Sequence, residues 1–537
     1  MAIRHHAPPI GPGPIAICGL ALLLAACGGS AGGPAADQSL AEGALPALTA
    51  DEVRRVVTQA AGEASAAGVS ATIAVTDSEA NVLAVFRMNG APGTSRVPGR
   101  SGNGLEGAVL PSDAVAIAKA ATGALLSSGG NAFSSRTASF IVQDHFPPAV
   151  DFTPGGPLFG VQFSSLPCGD FKKPAAPLGF SGDPGGLPLY KNGLLVGGVG
   201  VEGDGAYGVD PDPADLDSPA EERAALAGTR GFDAPDLIRA EQILADGIRL
   251  PFANPATVSG TGTASGAYLV PARAGQPSAY VAASAGGVSG RTDPRLPIRA
   301  GAVLTAADVS TILGQAARQT TVTRAAIRQP LGSSARVSIA VVDLDGRVLG
   351  FFQNEDAPNF GIDVSVQKAR TANFFSSATA ADDLRRAGLA VYLRDGVPLD
   401  GSVAFTSRAV GFLAQPHFPP GIPDTDPGAF SVPIDLWSPF NTGLQLDLVN
   451  LGLAGGCNAT IGRLPNGITI FPGGIPLFKG GRLAGAIGIS GDGIDQDDLI
   501  SSAGSAGFEA PPERRADQLE IRGVRLPWVK FPRHPEL

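Results

Sequence analysis

The chain repeats itself, which restricts its fold to something one unit can build twice. Ser134 to Pro148 and Thr406 to Pro420 agree at eight of fifteen positions, and both end in Gln-x-His-Phe-Pro-Pro. Other pairs keep the same order. Leu48-Thr49 matches Leu304-Thr305, Pro184-Gly185-Gly186 matches Pro472-Gly473-Gly474, and Gly203-Asp204-Gly205 matches Gly491-Asp492-Gly493. The separation drifts from 256 at Leu48 and Leu304 to 288 at Gly203 and Gly491, then returns to 276 at Gly247 and Gly523. Such length differences collect in loops over a shared scaffold.

Each copy reads in the same way. Thr49 with Glu52 three residues on is a capping box, and Thr305 with Asp308 repeats it. Ser70–Thr76 and Val82–Met88 alternate apolar and polar residues around an Asp77–Asn81 turn, predicting a hairpin; Val337–Val342 and Val348–Phe352 predict its partner. Ser112-Asp113 should cap a helix over Ala114–Leu126, matched by Asp363–Phe375. A glycine-rich hairpin follows later, Leu187–Val201 beside Ile475–Ile489, its glycines suiting close backbone packing. This order predicts an α+β architecture, an antiparallel sheet with helices on its faces. A chain of 537 residues exceeds the size of one core and is expected to hold more than one domain.

The first 26 residues read as a signal peptide, with Arg4 ahead of an apolar run too short to span a bilayer. Leu24-Ala25-Ala26-Cys27 resembles the bacterial lipobox, which implies cleavage before Cys27 and lipid on that residue. Residues 27–46 form a flexible tether, 47–254 the first domain, 255–294 a Gly/Ser/Ala-rich linker and 295–537 the second domain. Tyr268-Leu269-Val270 in the linker has the makings of an edge strand. The expected location is the bacterial cell envelope, periplasmic or surface-facing, with the lipid anchor as the sole membrane contact. A net charge of −10 without basic runs argues against nucleic acid as a partner. Cys168 and Cys457 hold equivalent places before their Pro-Gly-Gly turns. In an oxidising compartment they are expected to pair as a disulfide if they lie near the axis relating the copies, and otherwise to be buried thiols.

The Leu-Thr helix cap, the Ile-Ala-Val-x-Asp strand (Ile73–Asp77, Ile339–Asp343), the Lys-Ala helix and the late Pro-Leu-Tyr/Phe-Lys hairpin resemble the HbpS/GlcG-like haem-binding family. The resemblance covers the helix and sheet core of both copies. It implies two tandem profilin-like domains, each a five-stranded antiparallel sheet packed with helices and carrying long loop insertions. It also implies a small-molecule ligand, haem first. The two copies would form an intramolecular pseudo-dimer, with higher oligomers open to it. The family's haem-associated threonine falls at Thr122 and Thr371.

Haem iron takes an axial donor, most often His, Met, Cys or Tyr. Away from the chain ends the only histidines are His145 and His417, one in each repeated phrase. They are the candidate haem-metal ligands, with Arg136 and Arg408 placed to meet propionates. The plainer reading makes Phe-Pro-Pro a rigid exit turn in which His bonds a loop. The expected function is a lipid-anchored envelope protein binding a small planar ligand for scavenging or sensing. The alternatives are an envelope enzyme using the His145 and His417 loops, or a structural module whose pocket is filled.

Overall fold

Two threonines open the two halves identically. In the computed structural model, Glu52 N–H donates to Thr49 Oγ1 at 3.2 Å while Thr49 N–H donates back to Glu52 Oε2 at 2.8 Å, starting α1 (Ala50–Ala66). Thr305 and Asp308 exchange the same pair of bonds, at 3.1 and 2.7 Å, ahead of the corresponding helix. The structure describes residues 46–532 except 100–105, 144–168, 171–177, breaks within 211–214 and 434–459, and positions 246, 255, 259 and 423.

The first half continues with β1 (Thr72–Asp77), β2 (Val82–Met88), α2 (Ser112–Leu125), α3 (Ser135–Ile141), β3 (Gly186–Lys191), β4 (Leu194–Glu202) and α4 (Ala220–Gly228). Between the halves run β5 (Gly266–Val270), β6 (Val281–Ala285) and β7 (Val288–Thr292). The second half comprises α5 (Ala306–Thr320), β8 (Val337–Val342), β9 (Val348–Asn354), α6 (Gly361–Phe375), α7 (Ser407–Leu413), β10 (Gly474–Lys479), β11 (Arg482–Gly491) and α8 (Ile494–Gly504). The strand order is β3-β4-β1-β2-β5 in one sheet and β6-β7-β9-β8-β11-β10 in the other, antiparallel throughout. The first sheet has the expected five strands, and the second has six.

The stretch 255–294, read as a linker, therefore supplies the outer strand of both sheets. β5 pairs with β2, and β7 pairs with β9. β6 adds outside β7, so β5 and β6 hold the outermost positions, with a largely exposed face where small and polar residues serve as well as apolar ones.

Strand alternation separates two faces. Ile73, Val75, Val199 and Val201 pack with α1 and α4, while Ala74 faces α2. The second half repeats the arrangement, with Ile339, Val341, Ile487 and Ile489 toward α5, and Ala340 and Val342 toward α6. The glycines of β4 and β11 let the second helix of each half lie directly on its sheet. A Cβ at Gly198 would fall 2.1 Å from Ala120 O, and one at Gly488 would fall 2.0 Å from Ser365 O. Ser112 does not cap α2 as expected. Pro111 takes that position, and the buried Ser112 hydroxyl meets Ser95 Oγ at 2.9 Å instead.

From Leu45 to Leu537 the chain packs as one unit. The halves meet through unlike surfaces: Phe360 N–H donates to Leu125 O at the end of α2, and Gln329 N–H donates to Gly130 O. Arg328 spans the junction, pairing with Asp356 and Asp492 at 2.6 Å each and reaching Ser128 Oγ at 3.2 Å.

Candidate functional site

The threonines of α2 and α6 have matched structural tasks. Thr122 Oγ1 donates to Ala118 O and accepts from Ser181 N–H at 2.7 Å; Thr371 Oγ1 donates to Gln367 O and accepts from Thr469 N–H at 3.0 Å. Each fixes the loop entering the late hairpin. Both are fully buried.

The arginines expected to meet propionates are already engaged. Arg136 pairs with Asp210 at 2.6 Å, Glu222 at 2.7 Å and Asp217 at 2.9 Å. Arg408 pairs with Asp498 at 2.5 Å and Asp495 at 2.6 Å. A buried guanidinium must be matched by carboxylates, and these clamp α3 to α4 and α7 to α8. His417 sits half-buried with Nδ1 3.4 Å from Thr425 O, in keeping with the loop-bonding reading. The phrase's glutamines fold back alike, Gln143 onto Ser139 O and Gln415 onto Gly411 O. His145, Cys168 and Cys27 lie outside the described residues, as does the side chain of Cys457.

The site with unusual chemistry is one turn before each threonine. Lys119 is completely buried in α2, a helix otherwise rich in alanine. Its Nζ lies 2.5 Å from Glu221, 2.8 Å from Glu202 and 3.2 Å from Asp183, all buried. Burial alone would pull the lysine pKa down, but the three carboxylates outweigh it and hold it well above the usual value. Burial pushes Glu221 up to about 7 and Asp183 well above the carboxylate range, against the lowering effect of Lys119.

Lys368 is the counterpart in α6, but its surroundings differ. Its Nζ meets Asp497 Oδ2 at 2.7 Å, and the positions matching Glu202 and Asp183 are Ser490 and Phe471. Burial pushes Asp497 up to about 7, against the lowering effect of Lys368. Its second oxygen, Oδ1, is buried and has no hydrogen-bond partner among the described residues. In the first half, Glu221 uses its second oxygen, Oε1, to accept from the Gly203 and Asp204 amides. Asp497 is one methylene shorter and makes no such contact.

Lys368 and Asp497 border a cavity of about 810 Å3 between the halves. The first half contributes an apolar wall, including Leu126, Phe133, Ile141, Phe180 and Leu250. The second contributes Arg324, Arg328, Lys368, Asp497 and Lys530 amid further apolar residues such as Ile327, Leu331, Phe360 and Phe471. This size and division suit a small organic ligand with an apolar body and an anionic edge. A porphyrin with its propionates meets that description. The lining contains no His, Met, Cys or Tyr among the described residues, so strong axial ligation of haem iron is not built into this wall. Neither Thr122, Thr371, Arg136, Arg408 nor His417 lines it.

Residues 444–506 match the family described as "Haem degrading protein HbpS-like". Among solved structures, Klebsiella pneumoniae ORFY is 18% identical, covering 36% of this chain and 97% of its own, with a TM-score of 0.23. The haem complex of PduOC is 17% identical, covering 39% of this chain and 97% of its own, at 0.20. A doubly substituted Streptomyces reticuli HbpS is 20% identical, covering 38% and 99%, at 0.21. No curated protein matches the chain.

Proposed function

We propose, from the premise that residues 444–506 belong to the HbpS-like family, that this protein binds a small planar amphipathic ligand, haem first, in the cavity between its halves. The observation that carries the reading is the division of that cavity. Both halves offer apolar side chains, and the second adds the cations Arg324, Arg328, Lys368 and Lys530 for an anionic edge. Haem would bring a redox-active iron. The lining residues would hold its ring and carboxylates through apolar contact and ion pairing, without a histidine bond from this wall.

In this reading the halves are two profilin-like copies fused into an intramolecular dimer, tethered to the envelope through Cys27 for scavenging or sensing. Cys168 and Cys457 would pair as a disulfide if both lie near the axis relating the copies. Haem titration of the mature protein tests the proposal. A saturable Soret shift, lost when Ala245→Trp fills the cavity, supports it. Absence of saturable binding, or binding indifferent to that substitution, overturns it.

A further inference from the structure

The two buried lysines hold equivalent places, and the second lies with its acid on the border of a cavity, one oxygen of that acid lacking a donor among the described residues. We propose that the Lys368–Asp497 pair receives a carboxyl group of the ligand, Lys368 Nζ donating to one oxygen and a single proton being shared between Asp497 Oδ1 and the other. The proposal rests on the binding reading above and adds the residues and ligand group that set its specificity.

Three observations converge on this assignment. Asp497 belongs to the cavity lining, its Oδ1 is buried with no donor among the described residues, and an unmet buried acceptor is costly until something fills it. An ammonium carries three donors, and Lys368 Nζ is seen to use one, toward Asp497 Oδ2. The other two carboxylates that neutralise Lys119 are replaced here by Phe471 and Ser490, both of which line the same cavity. Where the first half keeps three acids around its lysine, the second half has one paired to it, on the border of the cavity.

The charge count is consistent. Lys368 and ionised Asp497 together are neutral, and a ligand carboxylic acid adds no net charge when one proton is shared across the two carboxyls. Two ionised carboxyls facing each other in that space would repel, so binding through this contact should weaken as Asp497 ionises. The groups facing Asp497 besides Lys368 are Asp498 on its own helix and Asp492 at the end of β11, the latter held by Arg328.

Metal-free protoporphyrin IX and its dimethyl ester, titrated by fluorescence into the mature protein, test this without iron ligation. The free acid should bind at least about tenfold tighter than the ester, the scale of a hydrogen bond to a charged group. Lys368→Met should erase that preference. Asp497→Glu, long enough to reach the loop amides as Glu221 does, should reduce acid binding while the thermal midpoint holds. Asp497→Asn should make acid binding independent of pH between about 6 and 8. Lys191→Met, remote from the cavity, should leave binding as it is. If the unaltered protein binds no porphyrin at all, the binding reading itself fails. If it binds acid and ester equally, or Lys368→Met and Asp497→Glu change nothing in a folded protein, the binding reading survives and the anchor assignment is wrong.

Discussion

Lys119 and Lys368 occupy equivalent turns of equivalent helices, yet one is sealed and the other borders a cavity. Around Lys119 three acids arrive from the loop before β3, from β4 and from α4, and a longer Glu also satisfies two loop amides. Around Lys368 a serine and a phenylalanine stand in for two of those acids, and a shorter Asp leaves one oxygen unmet. The difference teaches that a buried ion cluster can be purely structural in one copy of a fold and be opened in the other by three substitutions. It also locates the opening where the two halves meet.

The largest effect should come from breaking the sealed cluster. Lys119→Met leaves three carboxylates buried without their cation and should cost about 3–5 kcal/mol in urea unfolding. Lys368→Met, stranding one carboxylate that can take up a proton, should cost less than half as much. Equal losses would erase the contrast.

Next comes pH. Glu221 and Asp497, each pushed to about 7 by burial, have folded values above their unfolded ones near 4.5 and 3.8. The folded state then binds more protons than the unfolded state, so their contribution to stability is present in full below about pH 4. It declines as pH rises through about 7. Asp497→Asn should flatten its share of that decline in urea midpoints taken from pH 4 to 8, and an unchanged slope would contradict the assignment.

Smaller effects should be symmetric. Thr122→Ala and Thr371→Ala each free a buried loop amide and should cost about 1–3 kcal/mol apiece, in equal measure. Thr49→Ala and Thr305→Ala should each cost about 1 kcal/mol through the lost helix cap. A marked inequality within either pair would show that the halves diverge beyond the lysine sites.

The helix caps, both hairpins and the glycines under α2 and α6 were legible because each is a local pattern with a local cause. Within 255–294 the edge strand at Tyr268–Val270 was legible, but Val281–Ala285 and Val288–Thr292 were not, because strands at a solvent-facing sheet border need little apolar alternation and resemble tether by composition. The histidine phrase drew attention through rarity, but its described copy is held by ordinary loop bonds. Lys119 did carry a signal, a lone cation amid Ala and Val on its helix, whereas α6 holds Arg370 beside Lys368. The partners of both lysines lie 64 to 129 residues further on, from Lys119 to Asp183 and from Lys368 to Asp497, beyond the reach of any spacing rule.

The shared segment between the halves has a practical corollary. A break in the backbone between 271 and 280 would leave each half with its own border strand, whereas a cut at 255 or 294 would strip one half of it. Anyone wishing to produce the halves separately should sever the chain in the middle of the connection, because its two ends are already woven into the neighbouring sheets.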